Sequence, residues 1–402
     1  MPLDISPPPT SVFRPSIPHL PSFPYEVHYD YFGSLRYAYI DESPALVWDT
    51  QTGKQVDEAV LRRHEPDAIV EQELVVCLHG EPTWSYLYRK MIPGFLYAPP
   101  APRSQSSGPR YIKRRLLAPD FIGFGRSDKP TDDAYYTWES HRAWLLDFVS
   151  KHVVSHSRRS SARVTLVVQD WGGILGLILP VLFPYVFTHM IVMNTALGLG
   201  VEPTKGWIAF RDFMAKYSDV DIGNLLKRGT PVSEEEMNAY RAPFAGPGGG
   251  EKAKGGVRRF PQLVPIKPWQ EGVAESHAAL NYYANLCPIL ESDSTGKGEK
   301  RRPLQVFVCI GESDPVLGTG VMDQLSQAAW GKRLGFWRTT IPEAGHFVQE
   351  WASHIPQLSD IAWSSKEGSV SFDEDKEGKT RTWAAEWRQP ELKADARMGA
   401  KL

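Results

Sequence analysis

A series of short apolar runs that end in turn residues constrains the fold of this chain most strongly. Five runs span residues 73–78, 115–118, 163–168, 189–196 and 304–310, and a last one is expected near 336–341. Helical stretches separate the runs, which is the pattern of a parallel sheet that is buried on both faces. The sequence therefore predicts an α/β fold with a mostly parallel central sheet and helices on both faces. Ligands of such sheets bind beyond the carboxyl ends of the strands, so the polar residues after the runs should gather at one edge.

Composition and charge exclude several classes of protein. The chain has 402 residues with 45 basic against 47 acidic side chains, and so lacks the basic excess of a nucleic-acid-binding surface. Three cysteines are too few, and odd in number, for a disulfide scaffold. The longest stretch without Asp, Glu, Lys or Arg, residues 171–201, is broken by Pro180 and Pro184. We therefore expect a buried helix and a buried strand there, and no membrane span.

The pattern along the chain predicts five segments. They are a Pro-rich arm (1–22), the first part of an α/β core (23–197), a helical cap (198–267), the second part of the core (268–355) and a polar C-terminal tail (356–402). The arm has eight prolines in the first 24 residues and should be extended. The cap is rich in helix formers and aromatic residues and has no convincing strand. Polar or glycine-rich loops are expected at residues 98–110, 246–256 and 292–302, the second of them mobile.

The most informative motif is VQDWGG at residues 168–173. It follows an apolar run and opens an apolar helix, which is the setting of a nucleophile elbow, a sharp turn that exposes one side chain. Asp170 stands where Ser is usual, and Gly172 and Gly173 are the small residues that such a turn needs. A carboxylate can displace a leaving group at a saturated carbon and form an alkyl ester. The alternative is that Asp170 only caps the helix that begins at Trp171.

Three further motifs favour the catalytic interpretation. Asp314, in GESDP, follows the run at 304–310, and His346, in AGHF, follows the last run. Nucleophile, acid and His in this chain order are typical of the α/β-hydrolase triad. The motif HGEPTW at residues 79–84 is a loop that can supply one backbone N–H to an oxyanion hole. The predicted donors are the N–H groups of Glu81 and Trp171; an ordinary tight turn, with the Glu81 side chain in the core, is the alternative.

Together these motifs resemble the haloalkane dehalogenases of the α/β-hydrolase fold. The resemblance rests on residues 79–95, 118–130, 166–180, 310–318 and 344–350, and it spans roughly residues 23–351. It is strongest to the branch whose catalytic acid is an Asp after the cap. The resemblance implies that Asp170 is the nucleophile, His346 the base, Asp314 the acid, Trp171 a halide-binding residue and Glu81 the second oxyanion donor. Asn194 takes the place where some relatives carry the acid.

The halide site is where this sequence departs from the family. A cap Trp usually provides the second halide donor, and the alignment puts Phe210 at that position. Phe has no N–H group, and Trp207, one helical turn earlier on the same face, is predicted to replace it. Another branch uses an Asn side chain at the position of Glu81, a route that is absent here.

The implied function is the hydrolysis of haloalkanes to an alcohol, a halide ion and a proton through an alkyl ester on Asp170. No metal or organic cofactor is expected, and the expected ligands are a small halogenated substrate and the halide. The first alternative is an epoxide hydrolase with the same triad, in which tyrosines protonate the epoxide oxygen; the candidates are Tyr217, Tyr240, Tyr282 and Tyr283. The second is a non-enzymatic binder, which would not need all three triad residues.

The expected location is the cytoplasm, or the peroxisome through the C-terminal Ala-Lys-Leu, which is similar to the Ser-Lys-Leu address.

Overall fold

The computed structural model describes residues 9–101, 110–155, 163–286, 304–365, 367–376 and 379–391. The loop predicted at 292–302 and the C-terminal Ala-Lys-Leu lie outside the described residues. So do residues 102–109 of the loop predicted at 98–110 and residues 1–8 of the predicted arm.

A twelve-stranded sheet forms the centre of the described structure. The strands of the described chain are β1 Val12–Phe13, β2 Val27–Phe32, β3 Leu35–Glu42, β4 Leu46–Asp49, β5 Lys54–Asp57, β6 Val70–Leu78, β7 Tyr111–Pro119, β8 Lys129–Pro130, β9 Arg163–Gln169, β10 His189–Met193, β11 Gln305–Gly311, β12 Phe336–Ile341, β13 Ser369–Lys376 and β14 Lys379–Arg388. The strands β7, β6, β9, β10, β11 and β12 are neighbours in that order and run parallel. Antiparallel strands flank them on both sides, and β1 pairs with β8 apart from the sheet.

Twelve α-helices occur in the described residues. They are α1 Glu58–His64, α2 Ile92–Tyr97, α3 Trp138–Phe148, α4 Trp171–Gly176, α5 Leu179–Leu182, α6 Lys205–Lys216, α7 Ile222–Lys227, α8 Glu234–Arg241, α9 Gly255–Leu263, α10 Val273–Asn285, α11 Thr319–Ala329 and α12 Ile355–Ser364. None of these helices is long and apolar enough to cross a membrane. The predicted α/β class with a parallel central sheet is confirmed.

The parallel strands are those that the apolar runs predict. β6, β9, β10 and β11 are almost wholly buried, which explains why most of their residues are apolar and do not alternate with polar ones. Their carboxyl ends lead directly into the motifs at residues 79–84, at Asp170 and at Asp314, and β12 leads to His346. The sheet therefore brings four separate motifs to one edge.

Residues 198–267 contain the helices α6 to α9 and no strand. The loop predicted to be mobile at residues 246–256 is instead partly packed. A short 3-10 helix spans Gly250–Lys254, and α9 begins at Gly255. A Cβ atom at Gly255 would lie 2.7 Å from the Tyr136 ring, so glycine is required here by close packing and does not indicate a flexible linker.

The segment after residue 355 also differs from the expected polar tail. Helix α12 buries Ile355, Leu358 and Ala362. Strands β13 and β14 form a hairpin, and β14 pairs antiparallel with β12 and extends the sheet. On β14, Trp383 and Ala385 are buried, whereas the residues between and beside them are exposed. An antiparallel strand with one solvated face carries many polar residues, and this obscured its period-two pattern in the sequence.

Candidate active site

The turn between β9 and α4 holds Asp170 in a strained conformation. Its φ is 51° and its ψ is −124°, and it is the only non-glycine residue with positive φ in the described chain. Such a conformation costs on the order of 1–3 kcal/mol, which the surrounding packing must offset. A Cβ atom at Gly172 would collide with the Leu78 carbonyl, and one at Gly173 would collide with Thr195. The two glycines thus allow the turn to pack against β6 and the end of β10.

The carboxylate of Asp170 does not cap the helix that it precedes. No side-chain capping hydrogen bond is formed at this N-terminus. Instead Oδ1 accepts a hydrogen bond of 2.8 Å from the backbone N–H of Glu81, and Oδ2 lies 3.4 Å from Nε2 of His346. The side chain therefore faces the edge of the sheet where the other motifs lie.

His346 and Asp314 form a hydrogen-bonded pair beside Asp170. Nδ1 of His346 lies 2.8 Å from Oδ2 of Asp314. The same Asp314 oxygen accepts a bond of 3.0 Å from Nδ2 of Asn194, and its other oxygen accepts one of 2.8 Å from the N–H of Val316. The geometry fixes Nδ1–H toward Asp314 and leaves Nε2 directed at Asp170, which is the arrangement of a base that an acid orients.

The electrostatics of the pair agree with this geometry. Burial alone would raise the pKa of Asp314, but the charge and hydrogen bonds of His346 and the bond from Asn194 outweigh it and lower the pKa to about 2. Burial would lower the pKa of His346, but the negative charges and hydrogen bonds of Asp314 and Asp170 raise it well above its usual value. Asp314 is thus ionised at neutral pH, and the charge state of His346 depends on both carboxylates.

Glu81 contributes its backbone and its side chain in different ways. The backbone N–H bonds Asp170, as described above. The side chain is buried, and its Oε1 has no hydrogen-bond partner in the described structure. Burial raises the pKa of this carboxyl well above its usual range, and the charge of Asp170 raises it further. The second predicted oxyanion donor, Trp171, is the first residue of α4, where a backbone N–H has no acceptor within the helix.

A cavity of about 760 Å³ opens over Asp170 and His346. Trp171, Trp207 and Phe210 all line it, and the ring of Trp171 packs against Phe260 at 4.5 Å between centroids. The cavity thus contains both predicted halide donors, and Phe210 lies in its wall.

The four tyrosines of the epoxide interpretation lie elsewhere, and none of them lines this cavity. Tyr217 is 47% exposed. Tyr240 donates its hydroxyl to Glu350 at 2.6 Å, and Tyr283 donates its hydroxyl to the Leu177 carbonyl, also at 2.6 Å. Tyr282 packs edge-on against Tyr283. Their hydroxyls therefore do not converge over Asp170.

Two residues of the site have roles that the sequence did not predict. Asn194 follows β10 and holds Asp314, and its Oδ1 accepts a bond from the N–H of Gly311. Gln169 precedes the nucleophile and is fully buried, and its amide nitrogen lies 3.1 Å from Nε2 and 3.0 Å from the backbone oxygen of His346. The signal for both was their place at the carboxyl end of a predicted strand, but their partners are more than 100 residues away.

A buried ion cluster joins the cap helix α8 to the core. Arg89 donates to both carboxylate oxygens of Glu350 at 2.7 Å, and Lys90 lies 2.7 Å from the same carboxylate. Glu236 of α8 is paired with Arg89, and Tyr240 of α8 bonds Glu350. The Glu350 side chain is fully buried. None of these five residues lines the cavity over Asp170, so the cluster holds α8 to the core by charge outside the site itself.

Comparison with known proteins identifies the class first. Residues 73–353 match the family model of the α/β hydrolase fold, so the chain is an α/β hydrolase. The haloalkane dehalogenase of Psychrobacter cryohalolentis is 32% identical over 280 residues, which are 69% of this chain and 78% of that protein. The haloalkane dehalogenase of Mycobacterium marinum is 32% identical over 359 residues, which are 86% of this chain and 96% of that protein.

A solved structure also shows similarity to the haloalkane dehalogenases. Haloalkane dehalogenase DpaA from Paraglaciecola agarilytica NO2, which was solved as a tetramer, is 32% identical to this chain. The alignment covers 86% of this chain and 97% of DpaA, with a TM-score of 0.62. The chain therefore belongs to the haloalkane dehalogenase family, whose enzymes act on carbon–halide bonds.

Proposed function

We propose that this enzyme hydrolyses haloalkanes to an alcohol, a halide ion and a proton through an alkyl ester on Asp170. The observation that carries the proposal is the environment of that carboxylate. A strained turn exposes it at the base of a largely apolar cavity, with one oxygen bound to the Glu81 N–H and the other facing His346. A carboxylate in this position is available as a nucleophile.

In the first step, Oδ2 of Asp170 attacks the carbon that bears the halogen. The new C–O bond forms as the carbon–halogen bond breaks, and the halide leaves with the bonding electrons. The indole N–H groups of Trp171 and Trp207 would bind the departing halide. In a cavity with few other polar groups, such hydrogen bonds are stronger than they are in water.

In the second step, water cleaves the ester. Ester formation removes the charge of Asp170, which is one of the causes of the raised pKa of His346. The imidazole therefore loses its proton more readily at the stage where a base is needed. Nε2 takes a proton from water, the water oxygen attacks Cγ of Asp170, and the oxyanion on Oδ1 is held by the N–H groups of Glu81 and Trp171. Collapse expels the alcohol with one proton and restores the carboxylate, and the second proton goes to solvent.

The epoxide alternative has less support. It needs hydroxyl donors above the nucleophile, and the tyrosines considered for that role are exposed, bonded to other groups or packed outside the cavity. The complete set of Asp170, His346 and Asp314 also argues against a protein that only binds. Dehalogenation therefore fits the site best.

The direct test is a panel of 1-bromoalkanes run beside a panel of terminal epoxides, with bromide and diol measured. We expect bromide release that Asp170→Ala abolishes. Asp212→Ala, which changes a 61% exposed carboxylate on α6, is the matched control and should leave bromide release unchanged. Diol formation without any bromide release would overturn the proposal in favour of the epoxide alternative.

We propose a cytoplasmic location. The alternative is the peroxisome, to which the C-terminal Ala-Lys-Leu would direct the protein. A fluorescent protein fused to this tail would become punctate in a eukaryotic cell if the tripeptide is read as an address. A diffuse signal, the same as with the last three residues removed, would support the cytoplasm.

A further inference from the structure

A second cavity, of about 360 Å³, lies between the N-terminal arm and the core. Prolines and aromatic side chains contribute to its wall, among them Pro15, Phe23 and Tyr25, and the wall also contains the charged residues Glu26 and Arg126. No residue of this wall belongs to the wall of the cavity over the nucleophile. It is therefore a separate site, which the dehalogenation mechanism does not use.

Arg126 is the unusual member of this wall. Its side chain is only 9% exposed, and its Nη1 is buried with no hydrogen-bond partner among the described residues. The nearby Asp120 carboxylate does not pair with the guanidinium, because its two oxygens accept hydrogen bonds from the backbone N–H groups of Ser85 and of Arg126 itself, at 2.8 and 2.7 Å. The positive charge therefore has no carboxylate partner in the described part of the chain.

Two other arginines with similar burial show what is missing at Arg126. Arg89 is 6% exposed and donates to both oxygens of Glu350, and Arg114 is 7% exposed and pairs with Glu73 at 3.2 Å. Burial lowers the pKa of the Arg126 guanidinium, and the charge of Asp120 opposes this shift. A buried charge is unfavourable unless it is paired, so an anion that reached Arg126 would remove an existing cost.

The surroundings of Arg126 hold the guanidinium in place without neutralising it. Its Cζ lies 4.8 Å from the Trp84 ring centroid and 5.3 Å from that of Phe23, and both rings are buried. Aromatic faces attract a cation but offer no hydrogen-bond acceptor in the plane of the guanidinium. The arm that carries Phe23 is itself fixed, because Arg14 donates two hydrogen bonds to Asp128, at 2.9 and 2.8 Å. The cavity is therefore formed before any ligand binds.

We propose that this cavity binds a small monocarboxylate, whose carboxylate pairs with Arg126 and whose apolar part contacts the prolines and aromatic rings of the wall. The planar fork of guanidinium donors matches the two oxygens of a carboxylate. One unpaired positive charge is balanced by one negative charge, and Glu26 in the same wall would repel a dianion more strongly. The volume lies near the lower end of the range for small-molecule sites, about 300–1,000 Å³.

The test is isothermal titration calorimetry of the full chain with benzoate as the probe. We expect one saturable site. Benzamide has nearly the same shape but no charge, and it should bind at least tenfold more weakly, as expected when hydrogen bonds to a charged group are lost. Inorganic phosphate should also bind more weakly than benzoate. Excess bromide should not displace benzoate, because the proposed halide site is in the other cavity.

Variants of the wall locate the binding. Arg126→Gln should weaken benzoate binding at least tenfold, and Arg126→Lys, which keeps the charge but loses the fork, is a second variant in case the first does not fold. Glu26→Gln removes an exposed negative charge from the wall and should tighten binding about two- to fivefold. Arg62→Gln makes the same charge change as Arg126→Gln at a 42% exposed site on α1, and it should leave the affinity unchanged.

The contrary results are specific. No benzoate binding, or equal binding of benzamide and benzoate, would show that no carboxylate is recognised. Tighter binding of phosphate would overturn the ligand class. Displacement by bromide would place benzoate over Asp170 instead, and an unchanged affinity in folded variants of Arg126 would exclude that residue as the anion partner.

Discussion

The core side and the cap side of the active site are built by different forces. On the core side, the Asp170 carboxylate accepts a hydrogen bond from the Glu81 N–H, and Asp314 accepts three, from His346, Asn194 and Val316. On the cap side, Trp207 is buried with Arg211 over its ring, and Phe210 packs against the hydrophobic core. On the proposed mechanism, the covalent chemistry would depend on hydrogen bonds at the ends of strands, whereas selection of the substrate would depend on apolar area. Substitutions on the two sides should therefore fail in different ways.

The largest effect is expected on the core side, from Asp314→Asn. The variant loses the charge that stabilises the imidazolium, and turnover should fall about 10⁴-fold, as it does when the acid of an orienting triad is neutralised. The first release of halide needs no base, so a single-turnover burst should remain. Stopped-flow measurement of halide release separates the two steps.

The control for the Asp314 variant is Asp323→Asn, which changes a 45% exposed carboxylate of α11 that pairs with Arg338 of β12. It should leave both phases intact. If Asp314→Asn removed the burst and turnover equally, Asp314 would be acting on the fold or on the alkylation step, and the assignment as the acid partner of His346 would be wrong.

The next effect concerns the charged link between the two sides. Glu350→Gln leaves Arg89 buried with a weaker set of partners and should lower the free energy of unfolding by roughly 3–5 kcal/mol. Urea denaturation measures the change. Glu234→Gln is the control, because it breaks the ion pair between Arg241 and a 69% exposed carboxylate on α8. It should change the free energy of unfolding by about 1 kcal/mol or less. Equal changes in the two variants would show that the cluster contributes no more than a surface ion pair.

The same cluster predicts an acid dependence of stability. Burial alone would raise the pKa of Glu236. Hydrogen bonds from Arg89 and from the Ser233 N–H, together with nearby positive charge, outweigh burial and lower the pKa from 4.5 to about 2. A carboxyl whose folded-state pKa is lowered stabilises the fold above its unfolded pKa, and this contribution is lost as the pH falls. The difference in stability between the native protein and Glu236→Gln should therefore be constant above pH 5 and shrink between about pH 4.5 and 2.

Measuring halide affinity in variants allows a direct comparison of the core side and the cap side of the site. Trp171→Phe keeps an aromatic ring beside Asp170 but removes the N–H, and losing a hydrogen bond to a charged group costs about 1.5–3 kcal/mol. Bromide binding, followed by quenching of Trp fluorescence, should weaken about 10- to 150-fold. An unchanged affinity would remove Trp171 from the halide site and weaken the dehalogenase proposal.

The smallest effect is expected on the cap side, from Trp207→Phe. This indole is buried with the Arg211 guanidinium 5.5 Å from its ring centroid, and it lacks the strained turn that holds Trp171 beside Asp170. Loss of its N–H should therefore weaken bromide binding less than the Trp171 variant does. Phe210→Trp is the complementary change and should alter affinity little if Trp207 already donates. If Trp207→Phe has no effect and Phe210→Trp tightens binding, the site has one native donor and the Trp207 assignment is wrong.

The core side could be predicted from sequence because its signals are local. Each residue of the proposed triad follows an apolar run, and parallel strands bring such positions to one edge. The hydrogen bonds around Asp170, His346 and Asp314 follow from that placement once the fold is known. The parallel strands themselves agree with their apolar runs to within a few residues.

The rest could not be predicted because its signals are distant or mixed. The bond between Arg89 and Glu350 joins residues 261 positions apart, and neither stands in a strand-end motif. The C-terminal hairpin alternates buried and exposed residues and so resembles a polar tail. The volume and direction of the cavity depend on how α10, α11 and the cap pack together, which no single segment specifies.

The central claim is that Asp170 becomes alkylated, and mass spectrometry of a trapped intermediate tests it most directly. His346→Phe removes the base that is needed only for the second step, so one equivalent of bromide should be released and the ester should persist. After digestion, the peptide that contains Asp170 should gain the mass of one alkyl group in place of a hydrogen, and Asp170→Ala in the same background should show no gain. An adduct on another residue, or normal turnover by His346→Phe, would contradict the account.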